Sequence, residues 1–486
     1  MMVMDRRTDD TGLDRVRVLI DRGVLTGPVV HDSRQVEPGS LYACLRGEHF
    51  DGHEFAARAV AAGAAVVLTD HELNDLGSND GVIAEQVVVD DTRLRLGPIS
   101  ALVAGNPSRA LTAVGITGTN GKTTTAQMLA SILEADGRPT GVVGTLHGPR
   151  TTPEAPELQR VLRGFVDEGK SAAVLEVSSH ALALHRVAGT EFDAVVFTNL
   201  GHDHLDLHGS REEYFRAKAS LFTAAYAPIG IVNVDDTHGR LLADAVGSGS
   251  GEFRIVPYSV GDLRDVVVTA SSHRYTWRDV QIDVPIGGRF NVSNSLAAMT
   301  TAAVLGVDAE VAAAGLAALP SVPGRFEVVE SPVALARGIT VVVDYAHTPD
   351  GLVEVLATAR DATAAGARLL VVFGCGGDRD RPKRPEMGAA AVRLADRVIV
   401  TSDNPRHESP TDIIDDIVAG IEPAARAHLT TDPDRESAIA TALEMAGRGD
   451  VVVIAGKGHE RTQEFADRTI DFDDRAVVRR HLQDPS

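Results

Sequence analysis

The sequence predicts an α/β protein of three domains, each built on a mainly parallel sheet. Three observations carry this. Short Val/Ile-rich runs alternate with helical stretches, the pattern of βαβ units whose strands are buried on both faces. A glycine-rich loop follows one such strand and opens a helix. The series then breaks at an alternating segment and a proline pair, and starts again. At 486 residues, the chain exceeds the size at which a single core keeps growing.

Residues 1–109 form a first block, with HDSRQVEPGSLYACLRG, an Ala-rich helix and a strand at 65–68. Gly105-Asn106-Pro107-Ser108 reads as its linker. A central domain over 110–334 has strands at 111–116, 172–177, 194–198 and 229–234. At 263–286, apolar and polar residues alternate around turn residues, predicting a small antiparallel flap. Helices are expected at 291–318, before Pro320 and Pro323. The third domain, 335–486, repeats the strand–helix series with strands at 339–344, 369–373, 397–401 and 451–455.

Composition excludes several classes. Hydrophobic residues are 44% and charged residues 24%, which is ordinary globular usage. A formal charge of -21 disfavours nucleic-acid and anionic-membrane partners. Two cysteines, Cys44 and Cys375, make no disulfide framework. The N-terminus lacks an apolar signal core, and no run reaches the ~18 apolar residues of a membrane span. A cytoplasmic protein without membrane insertion is expected, with a monomer as the default.

The loop is Gly118-Thr119-Asn120-Gly121-Lys122-Thr123-Thr124. Its backbone N–H groups and the following helix N-terminus suit phosphate oxygens. Lys122 can reach the β- and γ-phosphates of ATP, and Thr123 can ligate Mg²⁺. The common pattern starts with Gly five residues before Gly121. Here that place is Ile116, with Gly115 one residue earlier, so the loop is a variant. Ligands of an open parallel sheet sit at strand C-termini. There the sequence sets Glu176, Ser178 and His180 after one strand, and His202, His204 and His208 after the next. Glu176 and His204 suit a metal beside a triphosphate. Lys218, in EYFRAKASLF, reads on its own as a solvated helix lysine.

TGTNGKTTT, LEVSSHAL, NLGHDHLDLHG, GRFNVSN, PGRFE, VVDYAHTP, GCGGDRDRPKRP, DNPR and AGKGHE occur in this order. The series resembles the Mur ligases, specifically the MurE-type branch that adds a third residue to UDP-N-acetylmuramoyl-L-alanyl-D-glutamate in peptidoglycan precursor synthesis. The resemblance runs from Asp32 to Glu460. It implies a UDP-binding first domain, a P-loop ATPase-like central domain and a Rossmann-like third domain. It assigns His31, Ser33, Glu48, His49 and Phe50 to the uridine diphosphate end, and Thr151, Thr152, Ser178 and Arg186 to the muramoyl dipeptide. Leu184 stands where the family often has Gln. Lys218 matches a lysine carbamylated in these ligases, which would make it an anion able to hold Mg²⁺ with Glu176 and His204, while Thr123 and Glu176 hold another. Asn291, Asn294, Arg325 and Asp344 match positions around ATP.

Arg379, Asp403, Asn404, Pro405, Arg406, Gly456 and Glu460 match the positions that bind the incoming amino acid. In related ligases DNPR accompanies meso-2,6-diaminopimelate. That substrate is a lysine with a remote carboxylate, which a guanidinium can grip with two bonds. The resemblance therefore implies an ATP-dependent diaminopimelate ligase working through an acyl phosphate, with Lys122, Glu176, His204 and Lys218 in the catalytic centre. The alternatives are the same ligase using L-lysine, a folylpolyglutamate-synthase-like ligase, a P-loop motor, or a non-catalytic UDP-muramoyl-binding protein. Closure of the third domain onto the ATP site is also expected.

Overall fold

The structure, a computed structural model, describes residues 11–47, 50–77, 83–201, 209–247 and 253–483. The first sheet holds β1 (Val29–Val30), β2 (Leu41–Ala43), β3 (Val66–Thr69) and β4 (Glu85–Val88), all parallel and in chain order.

The second sheet is parallel throughout. Its strands are β5 (Thr112–Thr117), β6 (Thr140–Val143), β7 (Ala172–Glu176), β8 (Ala194–Phe197), β9 (Ile229–Asn233) and β10 (Arg254–Tyr258), in the order β10-β9-β8-β5-β7-β6. The central strand β5 lies between β7 and β8, so the loop after it opens at the centre of the sheet's C-terminal edge, where Glu176 and Thr198 also emerge. β5, β7 and β8 are buried along nearly their whole length, as continuous apolar runs require.

The antiparallel flap forms as expected, from β11 (Arg264–Val268), β12 (His273–Trp277) and β13 (Val280–Val284). Its inward residues Tyr275, Trp277, Ile282 and Val284 share one core with Leu129 and Ile132 of the helix Lys122–Ala135, and with the helices Arg289–Val304 and Ala309–Ala317. The flap is thus part of the central unit.

The third sheet has the order β14-β15-β19-β16-β17-β18. It is built from β14 (Glu327–Val328), β15 (Thr340–Asp344), β16 (Leu369–Phe373), β17 (Arg397–Val400), β18 (Leu429–Thr431) and β19 (Val451–Ala455). Only β14 runs antiparallel. Because β14 pairs with β15, this sheet begins upstream of residue 335. A hairpin, β20 (Thr462–Glu464) with β21 (Thr469–Asp471), follows β19. Both cysteines are buried free thiols. Among the described residues no helix is long and apolar enough to cross a membrane.

Candidate active site

The phosphate loop is held from the neighbouring strand. The N–H of Thr119 donates to Asn199 O, and that of Asn120 to Asn199 Oδ1, each at 2.9 Å. The Thr198 hydroxyl donates to Asn120 O at 2.6 Å. Gly121 enters the helix at φ 85°, and a Cβ there would lie 2.3 Å from Asn294 Oδ1, so glycine is required on two counts. Lys122 Nζ donates to Gly118 O at 2.9 Å and to Thr119 O at 2.8 Å.

Glu176, at the end of β7, is buried and accepts three bonds. The Thr123 hydroxyl reaches Oε2 at 2.9 Å, the Thr145 N–H reaches Oε1 at 2.9 Å and the Thr145 hydroxyl reaches Oε2 at 3.1 Å. Arg325 Nη2 donates to Thr123 Oγ1 at 3.0 Å, while its guanidinium lies 4.6 Å from the Tyr345 ring centre. Asp344 accepts from the N–H groups of Phe326 and Ala346, each at 2.7 Å. Its burial raises its pKa despite the nearby Arg325.

These groups line one cavity of about 240 Å³ between the second and third sheets. It gathers Thr119–Thr124, Thr151, Glu176, Asn294, Arg325 and Asp344, and adds Thr145, Tyr345, His347 and Glu354. Asn291 stands behind it, accepting from Asn294 Nδ2 at 2.9 Å. Burial first, and then Asp344 and Asp350, push the Glu354 carboxyl up to about 7.

Lys218 corrects the residue-level reading of a solvated lysine. It is 1% exposed. Its ammonium donates to Gly118 O at 2.8 Å, so it touches the phosphate loop, and lies 4.5 Å from the Tyr214 ring centre. His204 lies outside the described residues, as do Glu48 and His49. The oxygens of Glu176, Thr123 and Thr145 are hard donors of the type Mg²⁺ takes. Lys218 fits a cation only as an anion.

The other expected groups fall at the C-terminal ends of strands or in the loops facing them. Thr152 donates to Glu176 O at 2.8 Å and accepts from the Ser178 N–H at 3.1 Å. Arg186 Nη1 donates to Thr152 O at 3.2 Å and Nη2 pairs with Glu154 at 2.7 Å. Thr151 meets the Thr145 hydroxyl at 3.0 Å. His31 and Ser33 follow β1, and Phe50, 71% exposed, lies in the loop after β2.

A second polar cluster follows β17 and β19. Asn404 Nδ2 donates to Glu460 Oε2 at 2.8 Å. Lys457, fully buried and absent from the expected set, donates to Asn404 Oδ1 at 2.9 Å and Glu460 Oε2 at 3.1 Å. Asp403 is buried beside Gly456. After Pro405, Arg406 sits at φ 53°. Its Nη1 donates to Gly377 O at 2.7 Å and its Nε to Glu464 Oε2 at 3.1 Å. Arg379 is exposed, and both arginines border Gly376.

A phosphate loop facing a cavity roofed by a second α/β unit, with a cationic and carboxylate cluster beyond it, is the arrangement of a nucleotide-dependent ligase. Three family models match in order: Mur ligase family catalytic domain over 28–102, Mur ligase middle domain over 116–302, and Mur ligase glutamate ligase domain over 324–458. The chain belongs to the Mur ligase family and is an ATP-dependent ligase. It is 42% identical over 479 residues to the UDP-N-acetylmuramoyl-L-alanyl-D-glutamate--2,6-diaminopimelate ligase of Streptomyces avermitilis, covering 94% of this chain and 92% of that one. A solved structure of a ligase of the same name is 34% identical, with a TM-score of 0.64 and 94% of each chain covered. MurF ligase from Thermotoga maritima in complex with ADP shares the fold at 21% identity, with a TM-score of 0.61 and coverage of 94% of this chain and 96% of that one.

Proposed function

We propose that this protein joins meso-2,6-diaminopimelate to the γ-carboxylate of D-glutamate in UDP-N-acetylmuramoyl-L-alanyl-D-glutamate, at the expense of ATP. The observation that carries the choice of amine is that Arg379 and Arg406 both border Gly376, beside the Asn404–Lys457–Glu460 cluster. The guanidinium of Arg406 suits the remote carboxylate, and Glu460 suits an ammonium. L-Lysine has no carboxylate to meet that arginine.

A carboxylate resists attack by an amine, so it must first be activated. The glutamate γ-carboxylate oxygen attacks the γ-phosphorus of ATP, the bond to ADP breaks, and an acyl phosphate forms. The amine then adds to the acyl carbon and phosphate leaves with the original carboxylate oxygen. Lys122 neutralises phosphate charge along this path, and Arg325 sits where it can do the same. Thr123 and Glu176, with His204 and Lys218 as a carbamate, would hold Mg²⁺, which supplies further charge neutralisation when bound. Thr152, Ser178 and Arg186 would hold the dipeptide, and His31, Ser33 and residues 48–50 the uridine end. The third unit covers the cavity, which keeps water from the acyl phosphate.

An amino-acid panel with ATP and the UDP-muramoyl dipeptide tests the reading. Phosphate release is expected with diaminopimelate and to be far weaker with L-lysine. Equal kcat/KM for the two would overturn the choice of amine. With an ¹⁸O-labelled γ-carboxylate, one label is expected in the released phosphate, and unlabelled phosphate would exclude the acyl phosphate.

A further inference from the structure

A group of metal-ligating side chains lies in the first unit, away from the ATP cavity. His53 belongs to the short turn Gly52–Phe55, and Asp70 and His71 directly follow β3. One ligand atom from each of these three residues lies within 4.8 Å of the others.

The hydrogen bonding gives this group its meaning. Asp51 Oδ1 accepts from His53 N at 3.0 Å and contacts His53 Nδ1 at 2.5 Å. A carboxylate on Nδ1 favours the tautomer with its proton there, in which the Nε2 lone pair is open to a ligand. The His53 side chain is 8% exposed, and its Nε2 has no hydrogen-bond partner among the described residues. That nitrogen points toward Asp70 Oδ1 at 3.2 Å, so two lone-pair-bearing atoms face each other. A cation between them turns this repulsion into binding. His71 lies alongside, its Nδ1 hydrogen-bonded to the same Asp70 oxygen at 2.5 Å through a proton that a cation would displace, and its ring centre is 4.7 Å from that of His53. Arg46 pairs with Asp70 Oδ2 at 3.1 Å and stands 3.7 Å from Asp51. Its single positive charge is shared between the two carboxylates.

We propose that His53, Asp70 and His71 form a binding site for a divalent transition-metal ion of the zinc, cobalt and nickel class, with Asp51 positioning His53. Two imidazoles and one carboxylate favour such ions over Mg²⁺. The site adjoins Asp51 and Gly52, and three protein ligands leave a coordination position open.

The test uses the full-length, chelator-treated protein without nucleotide, titrated with Co²⁺ and followed by visible absorption. One equivalent is expected to develop a ligand-field band that Zn²⁺ abolishes and excess Mg²⁺ leaves intact. His71→Ala and His53→Ala should lose the band. His71 is 52% exposed, so its removal should spare the fold, as circular dichroism would report. Asp51→Asn should weaken Co²⁺ binding about 10- to 100-fold, the usual effect of losing a carboxylate behind a ligating histidine. No band in the wild type, displacement by Mg²⁺, or an undiminished band in His71→Ala would each overturn the proposal.

Discussion

Replacing Arg406 with glycine separates amine recognition from folding. The residue occupies left-handed backbone at φ 53°, a conformation that costs a non-glycine residue about 1–2 kcal/mol. Its N–H donates to Glu464 O at 3.0 Å, a bond that glycine keeps. Arg406→Gly therefore removes the guanidinium while relieving backbone strain. Of the five N–H donors of the guanidinium, the bonds to Glu464 and Gly377 use two, which leaves three for a ligand. Charge-assisted bonds contribute about 1.5–3 kcal/mol each. The side chain is 23% exposed, so water weakens the pair, and about 3 kcal/mol is a fair total for two bonds. At ~1.4 kcal/mol per decade, kcat/KM for diaminopimelate should fall about 100-fold. The small activity with L-lysine should change by less than about threefold, because no carboxylate is lost. Arg406→Lys keeps the charge but not the fork and should resemble the glycine variant more than the wild type. The assay is phosphate release at saturating ATP and UDP-muramoyl dipeptide, with each amine varied in turn. KM for ATP is the internal control, since Arg406 does not line the nucleotide cavity. Equal losses for both amines, or an unchanged ratio between them, would refute the reasoning.

Three further outcomes are expected. Lys218→Ala should reduce ligation by at least about 100-fold and recover in part with a short-chain carboxylic acid; full activity without rescue would remove the carbamate from the mechanism. Glu354 holds its proton more tightly folded, at about 7, than its ordinary 4.5. Its contribution to stability is therefore intact below pH ~4.5 and lost as pH rises through ~7, by at most about 3 kcal/mol. Glu354→Gln should gain in melting temperature over the wild type from pH 5 to pH 8 without nucleotide, and a pH-independent difference would contradict this. Arg435 and Asp474 are both fully buried and paired through two bonds of 2.8 Å. Arg435→Met alone should cost about 3–5 kcal/mol in urea unfolding, and Arg435→Met with Asp474→Leu much less. Equal costs for the single and double variants would count against a stranded buried charge.

The strands read correctly from sequence are those buried on both faces, such as β5, β7, β16 and β19. Of those missed, β2 and β6 are buried but only three and four residues long, and others lack that signature. β10 contains Pro257, which its edge position tolerates. β14 has two residues, and β18 is largely exposed. The phosphate loop was legible because its residues are contiguous. Thr145 was not, because only the β6–β7 pairing brings it beside Glu176. The helix Arg211–Ala219 is rich in charge and looks solvated, yet Tyr214 and Lys218, four residues apart, form its buried side. Lys457 lies inside a recognisable motif, but nothing in its spacing says that its ammonium is buried. The proposal that Lys218 is carbamylated rests on family resemblance alone.

The phosphate-loop cavity and the Asn404–Lys457–Glu460 cluster belong to different sequence segments, yet one turn couples them. Gly324, at φ 64°, packs so closely that a Cβ would lie 2.2 Å from Gly458 C and from His459 N. Its N–H donates to Glu327 Oε2 at 2.7 Å, and the Phe326 N–H donates to Asp344 at 2.7 Å. The backbone of Arg325 is thereby fastened to the third sheet, while its guanidinium reaches Thr123 on the phosphate loop. Gly458 stands between Lys457 and Glu460, which hold Asn404. A rigid rotation of the third unit must therefore carry Arg325 and the amine cluster together. The point of flexure has to precede Gly324, where Pro320 and Pro323 lie between the helix Ala309–Ala317 and this turn. One movement of that unit would then shift the guanidinium at the phosphate loop and the Asn404–Lys457–Glu460 cluster together.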